Sequence, residues 1–151
     1  MNKQLLLLGL WLVVACQPPV KDERPVMTFT LTNGSTLDAR ELDDRMMLIL
    51  FQPDCDHCQD EATQIQKRLE AFDDYQLYFI SSYPMEQIDQ FAKTYQLANI
   101  PNIHFGSTSP QSVLNNYGPI PAPSVYIYTK QGKLVKSFEG PIDVEMIIKH
   151  L

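Results

Sequence analysis

The sequence predicts an α/β domain in which a central mixed β-sheet carries helices on both faces. Three observations lead there. The run Met46-Met47-Leu48-Ile49-Leu50-Phe51 is apolar throughout, suits a strand covered on both faces, and breaks at Gln52-Pro53 into a segment of helical periodicity. A second apolar strand within Gln76 to Ser82 is followed by a second amphipathic segment, which supplies a βαβ crossover of the usual right hand. Alternating strands with hairpin signals lie towards both ends of the chain.

At 151 residues the chain suits one domain with a single core. Its formal net charge is −6, from 12 basic and 18 acidic side chains, and no run of Lys or Arg stands out. A nucleic-acid partner needs a clustered basic surface, so that class is excluded.

The first residues read as a targeting segment. Lys3 supplies a short basic region, and Leu5 to Val14 is apolar apart from Gly9. That stretch is too short for a bilayer, which takes about 20 residues. Val13-Val14-Ala15-Cys16 resembles the lipobox of bacterial lipoprotein signals; an ordinary secretory signal with a chance cysteine is the alternative. The lipobox reading makes residues 1–15 a signal peptide, Cys16 the lipidated residue, 16–24 a Pro-containing tether and 25–151 the folded domain. It implies a bacterial cell-envelope location, and Gln17 after the cysteine implies the periplasmic face of the outer membrane in a Gram-negative host.

In chain order, Val26 to Thr32 alternates as a half-buried strand, and Asn33-Gly34 signals a two-residue hairpin leading to Ser35-Thr36-Leu37. Asp38 to Arg45 is a charged connector. After the buried strand, Cys55 to about Phe72 reads as a helix with Ile65, Leu69 and Phe72 on one stripe. Met85 to Tyr95 follows as a second helix with Ile88, Phe91, Ala92 and Tyr95 on one face. Ile100 to Phe105 has room for a short strand. Gly106 to Tyr117, rich in Ser, Thr, Asn and Pro, reads as a loop with at most one helical turn at Ser112 to Asn115. Ser124 to Tyr128 and Leu134 to Phe138 form a hairpin around Lys130 to Lys133, and Asp143 caps a last helix running to Leu151.

The chemistry concentrates at Cys55-Asp56-His57-Cys58. A C-x-x-C pair at the start of a helix places both sulfurs in its first turn. Unpaired backbone N–H groups and the positive end of the helix dipole there favour a thiolate at Cys55. Cys58 is close enough to resolve a mixed disulfide. With Cys16 assigned to acylation, these two cysteines remain as a pair. A cross-link over so short a span closes almost no loop and stabilises little, which argues against a structural staple.

The strand, the CDHC motif and the helix after it resemble the thioredoxin-like superfamily, over roughly Pro25 to the C-terminus. Glu61, three residues beyond Cys58, resembles the pattern of its TlpA/ResA-like branch of membrane-anchored reductases. The resemblance implies a thioredoxin-like fold and a thiol–disulfide oxidoreductase in which Cys55 attacks and Cys58 resolves. Glu61 shares a helix face with Cys58 and is a candidate general base, or an ordinary exposed charge. His57 lies between the cysteines as in periplasmic disulfide oxidases, where the imidazole stabilises the thiolate; Asp54 and Asp56 oppose that effect. Pro123 matches the cis-proline found opposite the motif, with Ala122 offering backbone to an extended substrate; Pro119 and Pro121 are rival positions. One departure is Asp54, where many members carry Trp. Trp11 is the only tryptophan, so aromatic packing beside the site must come from elsewhere, with Phe51 and the tyrosines of 117–128 as candidates.

The resemblance further implies protein disulfide or dithiol substrates, a membrane thiol-reducing electron donor, a lipid anchor, a monomer, and neither cofactor nor metal. Two alternatives stand beside it. One is a zinc or copper carrier using Cys55, Cys58 and a histidine, His57 or His104. The other is a peroxidase of the peroxiredoxin type, disfavoured because its Pro-x-x-x-Thr/Ser-x-x-Cys motif is absent around Cys55.

Overall fold

A computed structural model describes residues 22–151. The expected signal peptide, Cys16 and most of the tether lie outside the described residues. The elements are β1 (Thr28–Leu31), β2 (Thr36–Asp38), β3 (Met46–Leu50), α1 (Asp56–Gln66), β4 (Gln76–Ser81), α2 (Met85–Thr94), β5 (Ile103–Ser107), α3 (Pro110–Tyr117), β6 (Ser124–Tyr128), β7 (Leu134–Glu139) and α4 (Val144–Ile148). They build one seven-stranded sheet in the order β2-β1-β5-β4-β3-β6-β7. β3 pairs parallel with β4 and antiparallel with β6, and β4 pairs parallel with β5, so the sheet is mixed. This is the thioredoxin-like fold, with helices on both faces.

All five residues of β3 are buried because the strand has a core on each side. Met47, Ile49 and Phe51 join α1, α2 and α4 on one face through Ile65, Ile88, Phe91 and Ile147. Met46, Leu48 and Leu50 join β1, Tyr117 of α3 and Tyr126 on the other. Each such side chain contributes roughly 1.5–3 kcal/mol through burial. Successive crossovers β3-α1-β4-α2-β5 advance in one direction across the sheet, which puts α1 and α2 on the same face.

Several boundaries differ from the sequence expectation. The first hairpin has a three-residue loop: the Leu31 N–H bonds the Ser35 carbonyl at 2.8 Å, and Gly34 takes φ +86°. Asn33 shapes that turn by accepting from the Ser35 N–H at 2.9 Å, and only the closing Gly need be left-handed. The helix expected to reach Phe72 stops at Gln66; Arg68 leaves helical geometry, and a separate 3-10 turn at Leu69–Phe72 brings Phe72 into the core. The short strand begins at Ile103, since Pro101 has no N–H for a ladder and the Asn102 side chain donates to the Phe72 and Tyr75 carbonyls at 3.0 and 2.9 Å. It runs on through Gly106, where a Cβ would lie 2.6 Å from the Thr30 carbonyl oxygen. Glycine is what lets β1 dock there. The expected loop before Tyr117 is an eight-residue helix, α3, capped by Ser109 accepting from the Ser112 N–H at 3.1 Å, with Pro110 in its first turn and Gly118 at φ +73° closing it. β7 extends one residue further than expected, to Glu139, and α4 ends at Ile148.

The chain enters the domain at the end of the sheet remote from Cys55. The Arg24 N–H bonds the Gly132 carbonyl at 2.9 Å in the β6–β7 turn, and the Leu134 N–H bonds the Asp22 carbonyl at 2.9 Å. The Arg24 guanidinium, buried to 8 % exposure, donates to the carbonyls of Asp44, Thr129 and Lys130.

Candidate active site

β3 ends at Leu50, and the chain turns so tightly that the Cys55 N–H bonds the Gln52 carbonyl at 3.2 Å. Cys55 is therefore the N-cap of α1, one position before the first turn, with extended φ −92° and ψ 118°. Its sulfur accepts from the Cys58 N–H at 3.4 Å, so the backbone group expected to stabilise a thiolate is aimed at the atom that would carry the charge. As a thiol, Cys55 donates to the Ala122 carbonyl at 3.6 Å. The Ala122–Pro123 peptide bond is cis, and Pro123 is buried where β6 begins. The sequence stretches around residues 55 and 122 thus meet at one point.

Both cysteines are free thiols, and their environments differ. Cys55 is half-buried, whereas Cys58 is only 2 % exposed. Burial first, then contact with Cys55, raises the Cys58 pKa well above that of an ordinary thiol; negative charge at Cys55 and Glu61 adds to this. Glu61, at 2 % exposure, sits on the same inward face of α1 as Cys58, Ala62 and Ile65. Neither of its carboxylate oxygens has a hydrogen-bond partner among the described residues, and burial pushes its pKa up to about 8. His57 is exposed at the helix start.

His104 is elsewhere. On β5 it sits opposite Tyr78, stacks on that ring at 4.8 Å, and bonds Gln76 Oε1 through Nε2 at 2.8 Å. A ligand set combining it with the cysteines is therefore not assembled. Among the described residues, no group of three or more His, Cys, Asp or Glu side chains could hold a metal ion.

Aromatic support lies below and beside the sulfur. Phe51 packs on Phe91 at 4.7 Å and edge-on to Phe79 at 5.8 Å. The residue that sequence reasoning missed is Tyr83, in the β4–α2 loop. Its ring packs on the core cluster that Cys55 also touches, and the nearby Asp54 carboxylate raises the pKa of its hydroxyl. The signal was topological: neighbouring parallel strands place their C-terminal loops side by side, so the loop after β4 had to flank the loop after β3. Phe51, Tyr83, Val113, Leu114, Ile120 and Ala122 are among the residues lining a largely apolar groove of about 430 Å³ beside the site. A more polar cleft of about 430 Å³ on the other side is lined by Asp54, Gln59, Glu86 and Tyr95 among others.

The sequence profile of the AhpC/TSA family matches residues 20–137. No curated protein matches the chain. Among solved structures, the fold is similar to a secreted Mycobacterium tuberculosis disulfide oxidoreductase homologous to E. coli DsbE. That likeness has a TM-score of 0.69 at 17 % identity and covers 83 % of this chain and 93 % of that one. It is similar to Arabidopsis thaliana ScoI with copper bound, with a TM-score of 0.66 at 15 % identity over 83 % of this chain and 93 % of that one. A peroxiredoxin-like protein from Aquifex aeolicus gives a TM-score of 0.69 at 14 % identity over 88 % and 86 %. At these identities the likeness establishes the fold.

Proposed function

This chain belongs to the AhpC/TSA family, and from that premise we propose that it is an extracytoplasmic thiol–disulfide oxidoreductase of the TlpA/ResA-like kind, reducing or isomerising protein disulfides. The observation that carries the reading is the asymmetry of the cysteine pair: Cys55 half-exposed at a helix N-cap, Cys58 buried one turn in beside an unpartnered Glu61.

The Cys55 thiolate attacks one sulfur of a substrate disulfide, forming a mixed disulfide and releasing the other substrate sulfur as a thiolate. Ala122 and Pro123 border the sulfur on the side from which the substrate backbone arrives. Cys58 then gives its proton to Glu61 and attacks Cys55. The Cys55–Cys58 disulfide forms and the second substrate sulfur leaves, so two electrons have passed to the substrate. A carboxyl group with a pKa of about 8 is, in its ionised fraction, a stronger base than an ordinary carboxylate, which narrows the gap to the Cys58 thiol it would deprotonate. A membrane thiol-reducing system returns the electrons. The lipobox-like segment ending at Cys16 supports a lipid anchor, and the secreted M. tuberculosis neighbour supports an extracytoplasmic setting.

The test is Cys58→Ser, which leaves Cys55 to form mixed disulfides it cannot resolve. Covalent adducts with client proteins are expected, reversed by dithiothreitol. Their absence in both oxidising and reducing media overturns the mechanism.

A copper or zinc carrier is the second reading, favoured by the likeness to the copper-bound ScoI and by the two free thiols. Stoichiometric metal after reducing purification, lost in His57→Ala, would support it over the first.

A further inference from the structure

We propose that Gln59 is a positioning residue for the cysteine pair: its side-chain amide ties the turn that delivers Cys55 to the helix that carries Cys58, and so aligns the two sulfurs for resolution. This deepens the oxidoreductase reading and rests on it. Gln52-Pro53-Asp54-Cys55 closes as a turn through the Cys55 N–H and the Gln52 carbonyl at 3.2 Å, with Pro53 fixing φ at its second position. The Pro53 carbonyl accepts from Gln59 Nε2 at 3.0 Å. The Gln59 N–H bonds the Cys55 carbonyl at 3.1 Å as a helical bond. One residue, next to Cys58 on α1, thus grips the loop on both sides of Asp54.

A turn held to a helix at Cys55 alone can pivot about that junction, whereas a second hold at Pro53 fixes its orientation. Resolution needs the Cys58 sulfur to meet the Cys55 sulfur in line with the bond that breaks, so a pivot costs rate at that step. Capture of a substrate disulfide by Cys55 needs no such alignment with Cys58. Gln59 lines the polar cleft with Asp54 and Glu86, on the other side of the site from the apolar groove that reaches Ala122. It therefore acts on the pair without touching what arrives along that groove. The residue type matters as well. The Pro53 carbonyl only accepts, and a carboxylate in place of the Gln59 amide has nothing to donate.

Gln59→Met keeps the length and removes the donor; Gln59→Glu keeps the shape and sets a charge against the Pro53 carbonyl. Each is made in the full chain with Cys16→Ser, so that Cys55 and Cys58 alone report, and is mixed in reduced form with dithiobis(nitrobenzoate). Cys55 attacks the reagent disulfide and releases one thionitrobenzoate, in a phase that scales with reagent concentration. Cys58 then gives up its proton, attacks the Cys55 sulfur and releases the second thionitrobenzoate, in a phase that does not. The Cys55–Cys58 disulfide remains, and the reagent has gained two electrons. Gln59→Met is expected to slow the second phase by roughly three- to tenfold, the scale of one hydrogen bond, while the first phase stays within about twofold. Gln59→Glu slows the second phase further. The glutathione equilibrium of Gln59→Met moves to a potential about 15–30 mV less negative, since tenfold in that constant is about 30 mV. Equal slowing of both phases in Gln59→Met, or no slowing of the second, overturns the role of Gln59 and leaves the oxidoreductase reading standing. A wild-type pair that never releases the second thionitrobenzoate overturns that reading, and the positioning of the pair with it.

Discussion

Glu61 lies one helical turn beyond Cys58 on the inward face of α1, and neither of its oxygens is hydrogen-bonded among the described residues. A buried carboxyl group in that position prefers to stay neutral, and its pKa of about 8 against an ordinary 4.5 expresses that preference.

The sign of the pH effect follows. Below pH 4.5 folded and unfolded chains both hold the proton. Between 4.5 and about 8 the unfolded chain releases it and the folded chain keeps it, so stability falls as pH rises and levels off above 8. By pH 7 the loss from this group is about 3 kcal/mol. Glu61→Gln should lose that slope in urea titrations at pH 4.5, 6 and 8, and should release a trapped mixed disulfide about a hundredfold more slowly.

Tyr117 and Tyr128 share a buried hydroxyl–hydroxyl hydrogen bond of 2.9 Å on the α3 face of the sheet. Tyr117→Phe strands the Tyr128 hydroxyl and should destabilise the fold by roughly 1–3 kcal/mol in chemical denaturation. The double change Tyr117→Phe with Tyr128→Phe should lie closer to wild type than either single change, since no polar group is then left unpaired.

Gly106→Ala sets a methyl group 2.6 Å from the Thr30 carbonyl oxygen, a backbone atom that cannot turn aside, with Leu31 Cδ2 at 3.0 Å beside it. A cost of roughly 1–3 kcal/mol is expected. Amide exchange should locate it: the Thr32 N–H, bonded to the Phe105 carbonyl at 2.9 Å, should lose protection while β3 and β4 keep theirs.

Hydrogen peroxide should be consumed no faster than by an ordinary thiol. Gln52 stands three residues before Cys55, where the peroxidase motif carries a hydroxyl, and its carbonyl is engaged by the Cys55 N–H. Rapid peroxide turnover in a coupled assay would move the assignment to that class.

The apolar run of β3 and the C-x-x-C spacing were legible because each is a local signal with one physical meaning, whereas Asn33-Gly34 marked a turn without fixing its three-residue length. α3 was hidden by its composition. Ser109, Pro110 and Gly118 are cap residues, and taken one by one they look like loop residues; only their spacing marks a helix. Gly106 looked like a loop start because its purpose, clearance for β1, lies in a partner strand far along the chain. The helix face that Glu61 shares with Cys58 was legible while its burial was left open, since burial depends on what packs over that face, and Tyr83 needed the pairing of β3 with β4 before it could be placed. His104 was a ligand candidate by residue type alone, with nothing in the sequence to bring it near the cysteines, and the sheet register puts it against Tyr78.

The Arg24 contacts to Asp44, Thr129 and Lys130 have a mechanical meaning. A pull applied at residue 22 is taken up first by the β6–β7 turn and the foot of β3, and it must cross the whole sheet before it strains the turn that holds Cys55. The point where the described chain enters and the Cys55 sulfur therefore lie at opposite ends of the strands, so a surface bonded to the amino-terminal side would leave the sulfur on the side away from it.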